Sequence, residues 1–286
     1  MSATGTTYEG SLGGPVTVLR PRRGWAPLDL KELWHYRDLL LLLVWRDVKI
    51  RYKQTAIGAA WVVLQPLLLT GLFTVVFGLF AGVKTNGVPY AVLTSAAILP
   101  WFLFANALTS STKSIVENQA LVTKVYVPRI FIPVAPVLGG LVDFACGSIV
   151  VVGVFAWYRI VPPWQVVTLP FFLLFAVLTA IAVTLWLSAL NVRYRDVQYT
   201  VPFITQAWFF ATPIAYSALL FPAWLRMWIG VNPMAGVAQG FRWALIGQQA
   251  GQVGHLMLVS FGVVILLLIG GIEYFRRVER SFADVV

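Results

Sequence analysis

An uncharged stretch runs from Gly58 to Gly82, and it constrains the fold more than any other feature of the chain. A helix needs about 20 apolar residues to cross the ~30 Å hydrocarbon core of a bilayer, and this stretch is long enough. Five further apolar segments follow it. The six candidate spans are 58–82, 89–112, 130–158, 166–190, 200–220 and 254–273.

The composition supports a membrane location. The chain of 286 residues is 59% hydrophobic and only 11% charged, whereas soluble domains carry about a quarter of their residues as charged side chains. The apolar segments are rich in Leu, Val and Phe and lack the strict alternation of a membrane strand. We therefore predict an all-α integral membrane protein with six transmembrane helices.

The segment 222–250 is apolar but interrupted by Asn232-Pro233 and by Gly230, Gly236 and Gly240. The interruptions leave two pieces that are too short to span a bilayer. Non-helical backbone at membrane depth is tolerated only where protein or water covers it. We expect a re-entrant pair of half-helices between the fifth and sixth transmembrane helices.

The distribution of lysine and arginine along the chain predicts its orientation in the membrane. With the N-terminus inside, nine of them precede the first span, three lie in 113–129, two in 191–199 and three after the last span, which makes 17 of 21 on the cytoplasmic side. The positive-inside rule then favours six spans with both termini in the cytoplasm. The net charge of +10 is therefore explained by topology, and we expect no nucleic-acid partner.

Residues 30–53 precede the first span and read as an amphipathic helix lying in the cytoplasmic interface. Their sequence WRDVKIRYK brings four basic residues to the membrane surface and predicts an i,i+4 ion pair between Asp47 and Arg51. One interpretation is a membrane anchor, and the other is a coupling helix. The expected organisation is a flexible cytoplasmic tail (1–28), an amphipathic interfacial helix (29–54), a six-helix transmembrane domain (55–275) and a cytoplasmic C-terminal tail (276–286).

The sequence has no phosphate-binding loop, no paired carboxylates at a membrane surface and no metal-ligand spacing. We expect no cofactor, no metal and no catalytic residue in this chain. Asp143 is the only acid well inside a predicted span. An intramembrane carboxylate is a functional candidate, for example as a proton carrier, but a lone acid paired to a neighbouring helix or to water is the favoured interpretation.

Six sequence blocks resemble permease subunits of ABC exporters for polysaccharides, O-antigen and teichoic acids. They are WRDVKIRYKQTAIGAAWVVLQPLL (45–68), LPWFLFANAL (99–108), ENQALVTKVYVPR (117–129), LNVRYRDVQY (190–199), NPMAGVAQGFRWALIG (232–247) and YFRRVERSFADVV (274–286). They occur in the family's order and cover essentially everything after residue 30.

The resemblance implies a homodimer in membrane lipid, bound to two copies of a cytoplasmic ATPase that holds ATP and Mg²⁺. It also implies a substrate carried on a polyprenyl diphosphate lipid. In such exporters the interfacial helix and the loop between spans two and three contact the ATPase. The corresponding coupling or entrance residues here are Arg46, Asp47, Lys49, Arg51, Lys53, Glu117, Lys124 and Arg129.

A glycan channel needs aromatic faces for sugar C–H groups and hydrogen-bonding side chains for hydroxyls. Residues that meet this need recur at helical spacing in the fifth span and at the start of the first, with a further pair in the second span. The candidates are Thr205, Phe209, Thr212, Tyr216, Trp61, Gln65, Trp101 and Phe104. Lipid-facing or packed side chains are the competing interpretation.

The sequence therefore predicts the permease of an ATP-driven exporter for a lipid-linked O-antigen, galactan or similar glycan. Alternatives are a related ABC permease for teichoic acid, lipids or drugs, an integral membrane glycosyl- or phosphotransferase, and a secondary transporter. The last two lack the clustered acids, the intramembrane ion ligands or the internal repeat that they need. Fifteen Arg against six Lys is typical of a GC-rich genome, which suits an actinobacterial galactan or a proteobacterial O-antigen.

Overall fold

A computed structural model describes residues 8–9, 15–16, 30–53, 58–83, 85, 87–124, 127–216, 222, 228–247, 250–279 and 282. The chain divides into two compact units, Met1–His35 and Tyr36–Val286. In the first unit, strand β1 (Tyr8–Glu9) pairs antiparallel with strand β2 (Pro15–Val16), and helix α1 covers Leu30–His35.

Every regular element described in the second unit is a helix. Its helices are α2 (Arg37–Tyr52), α3 (Gly58–Phe73), α4 (Tyr90–Glu117), α5 (Gln119–Lys124), α6 (Phe131–Trp157), α7 (Leu169–Arg193), α8 (Val197–Ala211), α9 (Pro233–Ile246) and α10 (Ala250–Glu279). A π-helix (Thr74–Phe80) continues α3, and a 3₁₀-helix (Trp164–Thr168) precedes α7.

Five helical segments of the described chain are long and apolar enough to cross a membrane. They are Ala60–Phe80, Tyr90–Glu117, Phe131–Trp157, Trp164–Arg193 and Gly254–Glu279. Each one overlaps a predicted span. The prediction of an all-α, multi-pass membrane protein is therefore confirmed.

The predicted span 200–220 coincides with the shorter helix α8, which ends at Ala211. Thr212 is extended, with φ −95° and ψ 134°, because the ring of the following Pro213 disfavours helical backbone at the residue before it. The 15 residues of α8 rise about 22 Å at 1.5 Å per residue, less than the ~30 Å of hydrocarbon. The sixth transmembrane helix stays a prediction.

The break predicted at Asn232-Pro233 is present. Residues 228–231 are helical, and α9 begins at Pro233. Asn232 caps α9, since its side-chain oxygen accepts a hydrogen bond from the Met234 backbone amide at 3.1 Å. Helix α9 then ends at Gly247. The re-entrant course of 222–250 through the membrane stays a prediction.

Helix α4 forms the centre of the second unit and packs against α3, α6, α7, α8 and α9. Most of its surface is buried, whereas α3 and its π-helical continuation are mostly exposed. Helix α9 is buried on nearly all sides. It approaches α7 so closely that a Cβ atom at Gly240 would lie 2.2 Å from the Phe172 ring, a contact that only glycine avoids.

Candidate functional site

A groove with a volume of about 780 Å³ opens between α2, α3, α4 and α6. This volume lies within the range of small-molecule sites. Six of the residues that line the groove carry hydrogen-bonding side chains, and three are aromatic. The polar ones are Arg51, Gln65, Asn106, Thr109, Ser110 and Asp143, and the aromatic ones are Trp61, Phe102 and Phe144.

Asp143 lies at this groove and is paired with the end of α2. The Arg51 guanidinium donates to Asp143 Oδ2, and the Tyr52 hydroxyl donates to Asp143 Oδ1. Both carboxylate oxygens therefore accept hydrogen bonds from the end of α2. Burial raises the pKa of Tyr52, and the hydrogen bond to Asp143 raises it further, so the phenol stays a donor.

Asp143 is thus satisfied by a neighbouring helix, as the favoured interpretation of this lone acid expected. Its basic partner is Arg51 of α2, the helix that precedes the first transmembrane segment. Arg51 and Tyr52 occupy both oxygens of this acid with hydrogen-bond donors. This arrangement argues against a proton-carrying role.

Helix α2 packs against α6 one turn before that ion pair. A Cβ atom at Gly139 would lie 3.5 Å from Val48 Cγ2 and 4.0 Å from the Val44 carbonyl oxygen. Gly139 and Asp143 are four residues apart and so share one face of α6. This face therefore holds α2 by close backbone packing at one turn and by an ion pair at the next.

The predicted pair between Asp47 and Arg51 is wrong. Asp47 accepts from the adjacent Arg46, with 2.8 Å between Arg46 Nη2 and Asp47 Oδ1, while Arg51 turns to α6. Lys49 and Lys53 are exposed. Of the four basic residues in WRDVKIRYK, the two lysines are exposed and the two arginines are partly buried.

The amphipathic pattern predicted for residues 30–53 is not confirmed. In α2, Val44 and Val48 face α6, whereas Leu41, Trp45 and Ile50 are exposed, on more than one side of the helix. A helix with apolar side chains on both sides is consistent with one that contacts protein and lipid together.

The other predicted coupling residues lie at helix ends. Glu117 ends α4 and pairs with Lys113 at 2.9 Å. Arg129 donates to the Glu279 backbone carbonyl and so joins the start of α6 to the end of α10. The backbone of Lys124 ends α5, but its side chain lies outside the described residues. The structure does not bring these residues together with the α2 lysines into one described site, and their role stays a prediction.

Two predicted channel residues, Trp61 and Gln65, line the groove. Trp61 is 52% exposed, so its ring face is available to a ligand. Three others are buried in the protomer and pack together: the ring centroids of Trp101 and Phe209 lie 5.3 Å apart, and those of Trp101 and Phe104 lie 5.6 Å apart. In this conformation those three rings contact protein, and their place in a channel stays a prediction.

The remaining predicted channel residues lie on α8 and just beyond it. Thr205 is buried and donates to the Val201 carbonyl at 2.7 Å. Thr212 donates to the Trp208 carbonyl and accepts from Asn232 Nδ2 at 2.9 Å. The Tyr216 hydroxyl donates to the Phe210 carbonyl at 3.0 Å. These three groups are engaged within the protomer, and a channel role for them also stays a prediction.

Arg242 of α9 is buried and holds the segment that follows α8. Its guanidinium donates to four backbone carbonyls, of which three belong to that segment and one to α4. The acceptors are Pro213 at 2.7 Å, Ile214 at 2.5 Å, Tyr216 at 3.2 Å and Leu93 at 3.1 Å. Arginine suits this position because its rigid fork presents five donors.

Sequence reasoning missed Asn106, Thr109 and Ser110 of α4, which face the same groove as Trp61. The sequence feature that could have indicated them is a cluster of polar side chains in an otherwise apolar helix. Among the residues that the structure describes, no group of three or more His, Cys, Asp or Glu side chains could hold a metal ion. The groove offers hydrogen bonds and aromatic surface to a ligand.

Comparison with known proteins defines the class. Residues 38–246 match the family of ABC-2 type transporters, and the chain belongs to that family. The chain is 28% identical over 259 residues to an O-antigen export system permease protein, RfbA, of Myxococcus xanthus, covering 90% of this chain and 98% of that relative. It is 27% identical over 256 residues to the RfbA permease of Klebsiella pneumoniae, covering 89% and 97%.

Proposed function

We propose that this chain is the permease subunit of an ATP-driven exporter that moves a lipid-linked O-antigen or a similar cell-envelope polysaccharide out of the cytoplasm. The observation that carries the proposal is similarity along nearly the whole chain to two O-antigen export permeases. A family assignment alone would leave the cargo open.

The active assembly in this proposal is a homodimer in the bacterial inner membrane with two copies of a cytoplasmic ATPase. ATP and Mg²⁺ bind the ATPase, and this chain contributes no nucleotide site. Both termini and the segments 113–129 and 191–199 face the cytoplasm. The cargo is a glycan on a polyprenyl diphosphate, and its path begins at Trp61 and Gln65, which present an aromatic face and an amide in the groove.

Coupling in this proposal passes through α2. The ATPase contacts the exposed side of α2 that carries Lys49 and Lys53, and the opposite side is fixed to α6 through Gly139 and Asp143. Movement of α2 therefore displaces a membrane helix that borders the groove. The Arg51–Asp143 ion pair fixes α2 to one position on α6 more strictly than apolar contact alone would.

The test is a pair of assays on the permease and its ATPase. The purified chain alone is expected to hydrolyse no ATP, and hydrolysis appears when the ATPase subunit is added. Cells that lack the chain are expected to accumulate the lipid-linked glycan on the inner leaflet and to regain export with the wild-type gene. Normal glycan export in the deletion strain contradicts the proposed cargo, and ATP hydrolysis by the isolated chain contradicts the division of labour.

The coupling step is tested by reversing the exposed charges. Lys49→Glu combined with Lys53→Glu is expected to leave insertion and the Arg51–Asp143 pair intact but to lower ATPase binding, measured by co-purification. The matched control is Arg195→Glu, an exposed charge in the 191–199 turn. Equal co-purification for both variants contradicts a contact at α2.

A further inference from the structure

The groove between α2, α3, α4 and α6 is lined by more polar side chains than a surface that contacts only lipid acyl chains needs. Gln65, Asn106 and Ser110 line it, and their side chains make no hydrogen bond within the described residues. A polar side chain that faces hydrocarbon without a partner is costly. The groove is therefore built for a hydroxylated ligand, or for the water that such a ligand displaces, and not for an acyl chain.

The charge of the groove decides between two polar ligands. Among the described residues that line the groove, Arg51 is the only cation, and the adjacent Asp143 carries the opposite charge. A diphosphate that approached Arg51 would meet the Asp143 carboxylate at nearly the same distance, so its attraction and repulsion nearly cancel. An uncharged polyhydroxyl ligand meets no such penalty, because a guanidinium–carboxylate pair offers it both donors and acceptors.

The remaining requirement of a sugar site is a flat apolar face, and Trp61 supplies it at the groove's edge. We propose that this groove binds a saccharide unit of the exported glycan, with the sugar ring against Trp61 and its hydroxyls bonded to Gln65, Asn106 and the Arg51–Asp143 pair. The inference rests on the proposed function for the source of the sugar. It adds a defined site and excludes the diphosphate from that site.

Cysteine protection tests the site directly. Thr109 is exposed in the groove, and its hydroxyl donates to its own helix, so Thr109→Cys on a Cys146→Ser background places a label there with little change. The complex with the ATPase, in nanodiscs, is reacted with an uncharged maleimide. The probe is the water-soluble oligosaccharide released by mild acid from the cell's own lipid-linked glycan, compared with inorganic diphosphate at matched ionic strength.

The oligosaccharide is expected to slow labelling roughly tenfold at about ten times its dissociation constant, by occupancy alone, while diphosphate leaves the rate unchanged. Trp61→Ala is expected to abolish the protection. Trp157→Ala, which removes an exposed tryptophan outside the groove, is expected to retain it. No protection by the oligosaccharide, or protection by diphosphate in the parent protein, overturns the proposal.

A second variant probes the charge balance. Asp143→Asn keeps a hydrogen-bonding side chain but removes the negative charge beside the Arg51 cation, so diphosphate should now slow labelling. If diphosphate remains without effect, the ion pair does not set the selectivity, and the proposal fails on that point. Should Thr109→Cys fail to give a monodisperse complex, Ser110→Cys reports the same groove.

Failure of this inference can be distinguished from failure of the proposed function. A complex that exports glycan and hydrolyses ATP, but shows no saccharide protection at this groove, removes the site and leaves the exporter. Normal export in cells without the chain removes the exporter, whatever the labelling shows.

Discussion

The buried guanidinium of Arg242 should be one of the largest single contributors to the stability of the membrane domain. Its four carbonyl acceptors lie between 2.5 and 3.2 Å away. Arg242→Gln shortens the side chain and removes most of these donors. If each carbonyl left unpaired costs about 1 kcal/mol, at the low end for buried groups, the total is about 4 kcal/mol.

That loss should be visible as a lower unfolding temperature. At about 2–4 °C per kcal/mol for a chain of this size, the Arg242→Gln midpoint should fall by about 8–16 °C. Arg242→Lys should fall by about half as much, because a lysine ammonium keeps the charge but cannot reach carbonyls on two sides at once. The measurement is thermal unfolding of the purified protein in one detergent.

Arg195→Gln serves as the control, since Arg195 is exposed and surface substitutions usually change stability by less than about 0.5 kcal/mol. An Arg242→Gln midpoint within about 2 °C of the wild-type value, or a Lys variant as unstable as the Gln variant, would refute the idea that this fork of hydrogen bonds holds the segment after α8.

Three further perturbations test separate parts of the structure. Gly240→Ala should destabilise the protein by about 1–3 kcal/mol, because the new Cβ atom meets the Phe172 ring. Gly153→Ala is the control: a Cβ atom there has no neighbour within 4 Å, and helix propensity should stabilise the protein by up to about 1 kcal/mol. Equal unfolding midpoints for the two variants would contradict close packing at Gly240. Arg51→Met should lower the midpoint more than Arg51→Met with Asp143→Leu, because the single change leaves the Asp143 carboxylate without its cationic partner; additive losses would mean that the two do not interact. A single cysteine after the last residue of a cysteine-free protein should react with an impermeant maleimide only in opened cells, and labelling in intact cells would contradict the cytoplasmic C-terminus.

The long helices were predictable because hydropathy over about 20 residues is a local property of the sequence. The break before α9 was predictable for the same reason, since Asn232 and Pro233 act on their own backbone. The end of α8 was also present in the sequence, as Thr212-Pro213. The length of the apolar run through 200–220 predicts a longer helix, but Thr212-Pro213 ends it at Ala211.

The ion pair at the groove could not be predicted in this way. Asp47 was paired with Arg51 by helical spacing, but the partner that Arg51 meets is 92 residues away. Only tertiary packing of α2 on α6, through Gly139, brings the two charges together. The sequence identifies Asp143 as the only acid well inside a predicted span, but it does not identify the partner of this side chain.

The π-helix at Thr74–Phe80 has a consequence for mutational scanning of the first transmembrane segment. Hydrogen bonds from i to i+5 widen each turn, so the angular position of a side chain after Phe73 is no longer given by a period of 3.6 residues. A cysteine scan from Ala60 should therefore show one accessibility phase as far as Phe73 and a shifted phase beyond it. The segment presents one set of side chains to its neighbours in its first half and a rotated set in its second.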